Sequence, residues 1–204
     1  MIKKGLFYKV CFVVSLTLVQ LFPLAGFSQS PANSTNSGLI SPDTGVDYTK
    51  LKDLLAAGDW RKANDATTEL VLKSVGRDVV GWMSVEDLKK MSCWDLGTID
   101  RLWKEYSKGR FGFSAQFPIF IATGNKPGRL VAIENYQEFG DQVGWRNKND
   151  WIIFKENLGY SLDSPTGHLP SLRSQYQISG NRFEYSTLAQ RMVTCNLVSI
   201  PSGK

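Results

Sequence analysis

Histidine is almost absent from this chain. The sequence holds one, His168, in 204 residues, with three cysteines, Cys11, Cys93 and Cys195. There is no Cys-x-x-Cys pair and no Cys/His cluster, which excludes a structural zinc site. A Ser-His-Asp or Cys-His nucleophile would have to use His168, and no Gly-x-Ser-x-Gly turn accompanies it. Gly-x-x-x-x-Gly-Lys-Ser/Thr is also missing, and the glycines of 109–112 lack the strand-to-helix setting of a dinucleotide fingerprint. Carboxylates such as Glu69, Glu86 and Asp87 fall on helix faces that water should solvate. These absences leave a non-catalytic binding module that requires no cofactor for chemistry.

A long apolar span is lacking too. Lys3, Lys4 and Lys9 precede an apolar run at 10–24, and the small residues Ala25, Gly26 and Ser28 follow. About 15 residues is short for a bilayer of ~20. Basic start, apolar middle and small exit are the layout of a secretory signal peptide over 1–28. The alternative is an uncleaved membrane anchor through 10–24. Either places the protein outside the cytoplasm or at a membrane, in a periplasm or thylakoid lumen; an accidental apolar start on a cytoplasmic protein is the weaker reading. Without 1–28 the chain keeps 21 Lys and Arg against 19 acidic residues, and no basic stripe remains for nucleic acid. Residues 29–46, rich in Ser, Asn, Pro, Gly and Thr, read as a flexible linker. The folded domain then covers 47–197, with a tail at 198–204. Cys93 and Cys195 are either a disulfide of an exported protein or two small buried hydrophobes.

What the chain does have is helical spacing. Tyr48, Leu51, Leu54 and Leu55 share one face, and Trp60, Ala63, Leu70 and Val71 another. Gly58 ends the first helix and Asp59 caps the second, making a helical hairpin. Ser84 caps a short helix to Met91, and a further helix runs over 95–107. A short helix fits 133–139, and helical spacing returns at 185–195. The run 111–121 is a strand or a buried helix; Pro118 argues against a central strand. Residues 143–170 read as one long loop.

That loop carries an unusual stretch, VGWRNKNDWIIFK at 143–155, in which two indoles flank a polar turn. Phe139, Trp145, Trp151, Phe154 and Tyr160 interleave with Arg146, Lys148, Lys155 and Arg173. Such a surface suits a flat apolar ligand with carboxylates: rings cover its faces and cations meet its acidic edge. Trp151 reads as an anchor of the loop's own small core, with Phe154 beside it. Trp145, after Gly144, reads as exposed for binding. His168 reads as a loop-fixing hydrogen-bond partner, with an axial contact to a ligand's metal as the weaker alternative.

Five segments in order resemble one family: GDWR at 58–61, DLGTIDRLW at 95–103, YSKGRFGFS at 106–114, GDQVGWR at 140–146 and GHLP at 167–170. The chain is similar to the "genomes uncoupled" tetrapyrrole-binding regulators of cyanobacteria and chloroplasts over about 48–197. The resemblance implies an all-α domain with a concave, cupped-hand surface bordered by a long loop. It implies that 111–121 is a buried helix forming the palm. It implies protoporphyrin IX or magnesium-protoporphyrin IX as ligand, the magnesium chelatase large subunit as partner, and a regulatory place in chlorophyll biosynthesis. Trp145 takes the family's loop-aromatic role. Together with the chemistry above, the ligand contacts expected are Phe120, Ile121, Phe139, Val143, Trp145, Arg146, Phe154, Leu158, Leu169 and Arg173. An export signal does not fit a chelatase regulator. A carrier, scavenger or sensor of porphyrin fits it better, and a protein-interaction domain that has lost the ligand is the alternative.

Overall fold

The computed structural model describes residues 38–172 and 182–201. Seven helices carry the fold: α1 (Thr49–Ala56), α2 (Trp60–Ser74), α3 (Val85–Lys90), α4 (Cys93–Tyr106), α5 (Phe113–Ala122), α6 (Ile133–Gln142) and α7 (Arg182–Thr194). A two-stranded hairpin, β1 (Arg146–Asn147) and β2 (Asp150–Trp151), follows α6. The architecture is therefore mostly helical, with one small sheet that the all-α expectation lacked.

Local chemistry explains the first helices. Gly58, at φ 70°, reverses the chain after α1, and Asp59 accepts the Lys62 amide N–H at 3.3 Å to cap α2. Leu51 and Leu55 of α1 are buried, as are Trp60, Ala63, Thr67 and Val71 of α2. At α3, Ser84 and Asp87 form a reciprocal capping box. Ser92 caps α4 by accepting from the Trp94 and Asp95 amides.

The segment before α1 departs from the expected linker. Leu39 and Val46 are buried in the core, and Ile40 bridges Asp47. Thr44 Oγ1 and the Tyr48 hydroxyl both donate to the buried Asp95 carboxylate, Tyr48 at 2.8 Å. Residues 38–46 thus belong to the folded domain, tied to α4 by a polar contact that composition does not reveal. Burial, and then the hydrogen bond to Asp95, push the Tyr48 phenol well above its ordinary range, so it stays a donor. The expected export segment lies outside the described residues.

The apolar run after Gly112 is the helix α5. Gly112 has φ 117°, and a Cβ there would sit 2.9 Å from Asp100 Oδ1. The same oxygen accepts the Ser114 N–H at 2.8 Å, so an acidic side chain from α4 starts α5. Pro118 lies inside α5 on its exposed side, where water can serve the carbonyl left without its donor. Phe113, Gln116, Phe117 and Phe120 face inward.

Cys93, at the start of α4, is bonded to Cys195 just beyond α7, with Cα atoms 5.2 Å apart. Arg191 Nε donates to Met91 O at 2.7 Å beside it. Two aromatic groups fill the interior. Trp60, Trp103 and Phe111 pack together, with Trp103 Nε1 donating to Thr67 Oγ1 at 2.9 Å. Tyr136, Phe139, Trp145 and Tyr185 form the second, and it stands behind the site.

Candidate functional site

The indole-flanked stretch folds as a tight hairpin. Arg146 pairs with Trp151 and Asn147 with Asp150. Lys148 and Asn149 both have positive φ, 49° and 70°, the requirement of a two-residue type I′ turn. Arg146 makes its polar contacts within the chain. Its Nη1 meets Asp141 Oδ2 at 2.6 Å and its Nη2 donates to Asn149 O, so it clamps α6 to the turn. The guanidinium also lies over the Trp151 ring at 5.6 Å. Trp151 packs on Tyr136, at 5.3 Å between ring centroids. Phe154 stays half exposed, so it does not share the anchoring role expected of it.

Trp145 is inside the protein, contrary to the exposed position expected. It is 2 % exposed, and its Nε1–H donates to His168 O at 2.7 Å. Its ring meets Phe139 and Tyr185 edge-on at 5.5 and 5.9 Å. Gly144, at φ 75°, lets the chain enter: a Cβ there would lie 3.0 Å from Pro165 and 3.1 Å from His168. His168 works on the same loop. Gly159 N–H donates to its Nε2 at 3.1 Å, which leaves Nδ1 to carry the proton and donate to Val143 O at 2.7 Å. Both ring nitrogens are engaged within the chain, which leaves none for an axial contact. Among the described residues there is no cluster of three His, Cys, Asp or Glu suited to a metal ion.

One face of Trp145 borders a cavity with about 800 Å³ of empty space, part of it open to solvent. Thr68 and Leu72 of α2 form one wall, with Gly81, Trp82, Met83 and Leu88 from the turn and helix that follow. Phe113 and Gln116 of α5 and Tyr136 of α6 form the floor, and Glu184, Tyr185 and Leu188 of α7 the far wall. Pro170 and Leu172 close it on the loop side. At the rim Trp82 is 64 % exposed, and Val79 and Val80 beside it are exposed as well. The apolar, aromatic wall is of the kind an organic-ligand pocket presents. Burial, followed by Tyr136 and Asp100, holds the Tyr185 phenol well above its usual range.

Of the ten expected contacts, Trp145 borders this cavity. Phe120, Phe139, Val143 and Leu169 are fully buried in the core behind it, and Leu158 is buried under the loop. Ile121 packs on the core from the outer side of α5. Phe154 lies in a separate surface groove with Ile153 and Asn157. Arg173 lies outside the described residues. No Lys or Arg lines the cavity among the described residues; Glu184 is its charged side chain. Sequence reasoning missed Gln116 and Trp82, although both left a signal. Gln116 interrupts the apolar run FGFSAQFPIFIA, and Trp82 follows a turn glycine.

Comparison with known proteins places this geometry. A family model described as GUN4-like matches residues 41–191. The Ycf53-like protein of Synechocystis sp. is 29 % identical over 130 residues, covering 63 % of this chain and 52 % of that protein. A protein of Arabidopsis thaliana named "Tetrapyrrole-binding protein, chloroplastic" is 29 % identical over 143 residues, covering 63 % of this chain and 49 % of its own length. The chain thus spans about half the length of the curated relatives it matches. The structure of GUN4 from Chlamydomonas reinhardtii superposes with a TM-score of 0.59 at 31 % identity, over 74 % of this chain and 92 % of that one. The ligand-free structure of Arabidopsis thaliana GUN4, at 24 % identity and a TM-score of 0.54, shares the fold, over 72 % of this chain and 94 % of that one.

Proposed function

This chain belongs to the GUN4-like family, and from that premise we propose that it binds a tetrapyrrole non-catalytically in the cavity between α2, α5 and α7. The observation that carries the proposal is the cavity itself: walled by Phe113, Tyr136, Trp145 and Tyr185, and open at the Trp82 rim. Flat aromatic walls cover a macrocycle's faces and exclude water from them, which is where an apolar ring gains affinity. Protoporphyrin IX and magnesium-protoporphyrin IX are the ligands proposed.

The biological setting follows from the front of the chain. A signal peptide or anchor in residues 1–28 puts the domain on the far side of a membrane or on its surface. The Cys93–Cys195 bond supports that setting, because such bonds persist in oxidising compartments. There the protein carries, scavenges or senses porphyrin. Partnership with the magnesium chelatase large subunit requires the domain on the chelatase's side, and the export signal argues against it.

Titration with protoporphyrin IX tests the reading. Binding shifts the porphyrin absorption band and quenches tryptophan emission, since Trp82 and Trp145 border the site. Saturation at micromolar porphyrin is the expected result. An unchanged spectrum, with a folded protein that still captures a reproducible protein partner, would favour the interaction domain instead.

A further inference from the structure

Two polar atoms in residues of the cavity wall have no hydrogen-bond partner among the described residues. Gln116 Oε1 and the Tyr185 hydroxyl are both buried and both unsatisfied, and both residues line the cavity. Buried polar atoms left unpaired are rare in folded proteins, because desolvation is then uncompensated. Such a pair in one pocket calls for a ligand.

The orientation of the amide is set by its neighbour. Gln116 Nε2 donates to Pro170 O at 2.9 Å. A carbonyl oxygen only accepts, so turning the amide over would bring two oxygens together. The loop also backs the side chain closely: a Cβ on Gly167 would lie 3.2 Å from Gln116 Cγ. The Tyr185 ring is wedged between Phe120 and Phe139, with centroids at 5.1 and 4.8 Å. Its hydroxyl rotates but the ring stays. Burial keeps that hydroxyl protonated, hence a donor. One fixed acceptor and one fixed donor, neither ionised, therefore belong to residues lining a pocket whose described lining contains no Lys or Arg.

Resting on the tetrapyrrole reading, we infer that Gln116 and Tyr185 are specificity-determining residues that hold a neutral polar group on the edge of the macrocycle. That group supplies an N–H or O–H to Gln116 Oε1 and a lone pair to the Tyr185 hydroxyl. An ionised carboxylate is a poor occupant: it has acceptors only, the Gln116 oxygen repels it, and Glu184 adds like charge to the same wall. A carboxyl group satisfies both partners when it is protonated, whereas a carboxamide does so without a proton. Ionised ligand carboxylates accordingly remain at the solvent side of the cavity.

The test compares protoporphyrin IX with its dicarboxamide, titrated into the full chain at neutral pH and followed by absorption. The dicarboxamide binds more tightly than the diacid. Tyr185→Phe weakens its binding about five- to tenfold, the worth of one hydrogen bond. The same variant raises the melting temperature without ligand, because it deletes a hydroxyl that nothing satisfies. Gln116→Met abolishes the preference for the dicarboxamide. Equal binding of both porphyrins by the parent and both variants would overturn the inference and leave the tetrapyrrole reading intact. A fall in melting temperature and affinity together in Tyr185→Phe would also overturn it, since that is the mark of a structural hydroxyl. Failure of both porphyrins to bind the parent would remove the inference and the tetrapyrrole reading together.

Discussion

Asp87 shows how much one side chain does for the cavity's framing. It accepts the Ser84 backbone N–H at 2.9 Å and receives the Arg77 guanidinium at 3.0 and 3.2 Å. These bonds, the Ser84 backbone contact first, hold its carboxyl down to about 2. A depressed carboxyl adds stability that is fully present above its unfolded value, near 4, and is lost as pH falls through about 2. The stability gap between the parent and Asp87→Asn should then be full above about pH 4 and close toward pH 2, as thermal melts would show. A gap constant across that range would mean the ion pair contributes nothing through its charge. At this scale much was legible in advance. Asp59 and Ser84 cap helices because a short side-chain oxygen before an apolar stripe satisfies free amides. The orientation of Trp145 was not legible. Its indole is buried because His168 O, 23 residues away, accepts its N–H, and no local pattern encodes that partner.

Among the elements, the β1–β2 hairpin was the one read as loop. Its strands have two residues each, too few for alternation to register, and its turn is Lys-Asn rather than the favoured Asn-Gly. Positive φ at Lys148 and Asn149 strains side chains there. Replacing the pair with Asn-Gly should stabilise the protein by ~1 kcal/mol, read as a higher melting temperature. No gain would mean the turn does not hold this conformation. The helix α5 was ambiguous for a different reason. Its stripe is apolar almost all round, so period alone could not separate strand from helix, and the family resemblance resolved it correctly. The cavity escaped sequence reasoning because its walls come from α2, α3, α5, α6 and α7, which only the tertiary fold brings together.

For the whole molecule, the long-range staple is Cys93–Cys195, which closes a span of 102 residues. Constraining a loop of that size in the unfolded chain stabilises a fold by roughly 2–4 kcal/mol. The double variant Cys93→Ala/Cys195→Ala should lose about that much in denaturant titrations, and dithiothreitol should lower the parent but leave the variant unmoved. Equal stability of parent and variant would show the bond to be incidental. Because α7 also carries Glu184, Tyr185 and Leu188, the staple anchors the helix that forms the cavity's far wall. At the C-terminal side Leu197 and Val198 pack on the core. At the other end the expected linker ran too far into the chain, because Leu39 is already buried. The central claim is that the tetrapyrrole occupies this cavity and no other surface. Leu72 stands half-buried in its α2 wall, so Leu72→Trp fills the space from a helix that tolerates the larger ring. The decisive measurement is a protoporphyrin titration of parent and Leu72→Trp by absorption, with circular dichroism to confirm equal helix content. A band shift in the parent that is lost in the folded variant is the result expected; equal affinity in both would contradict it.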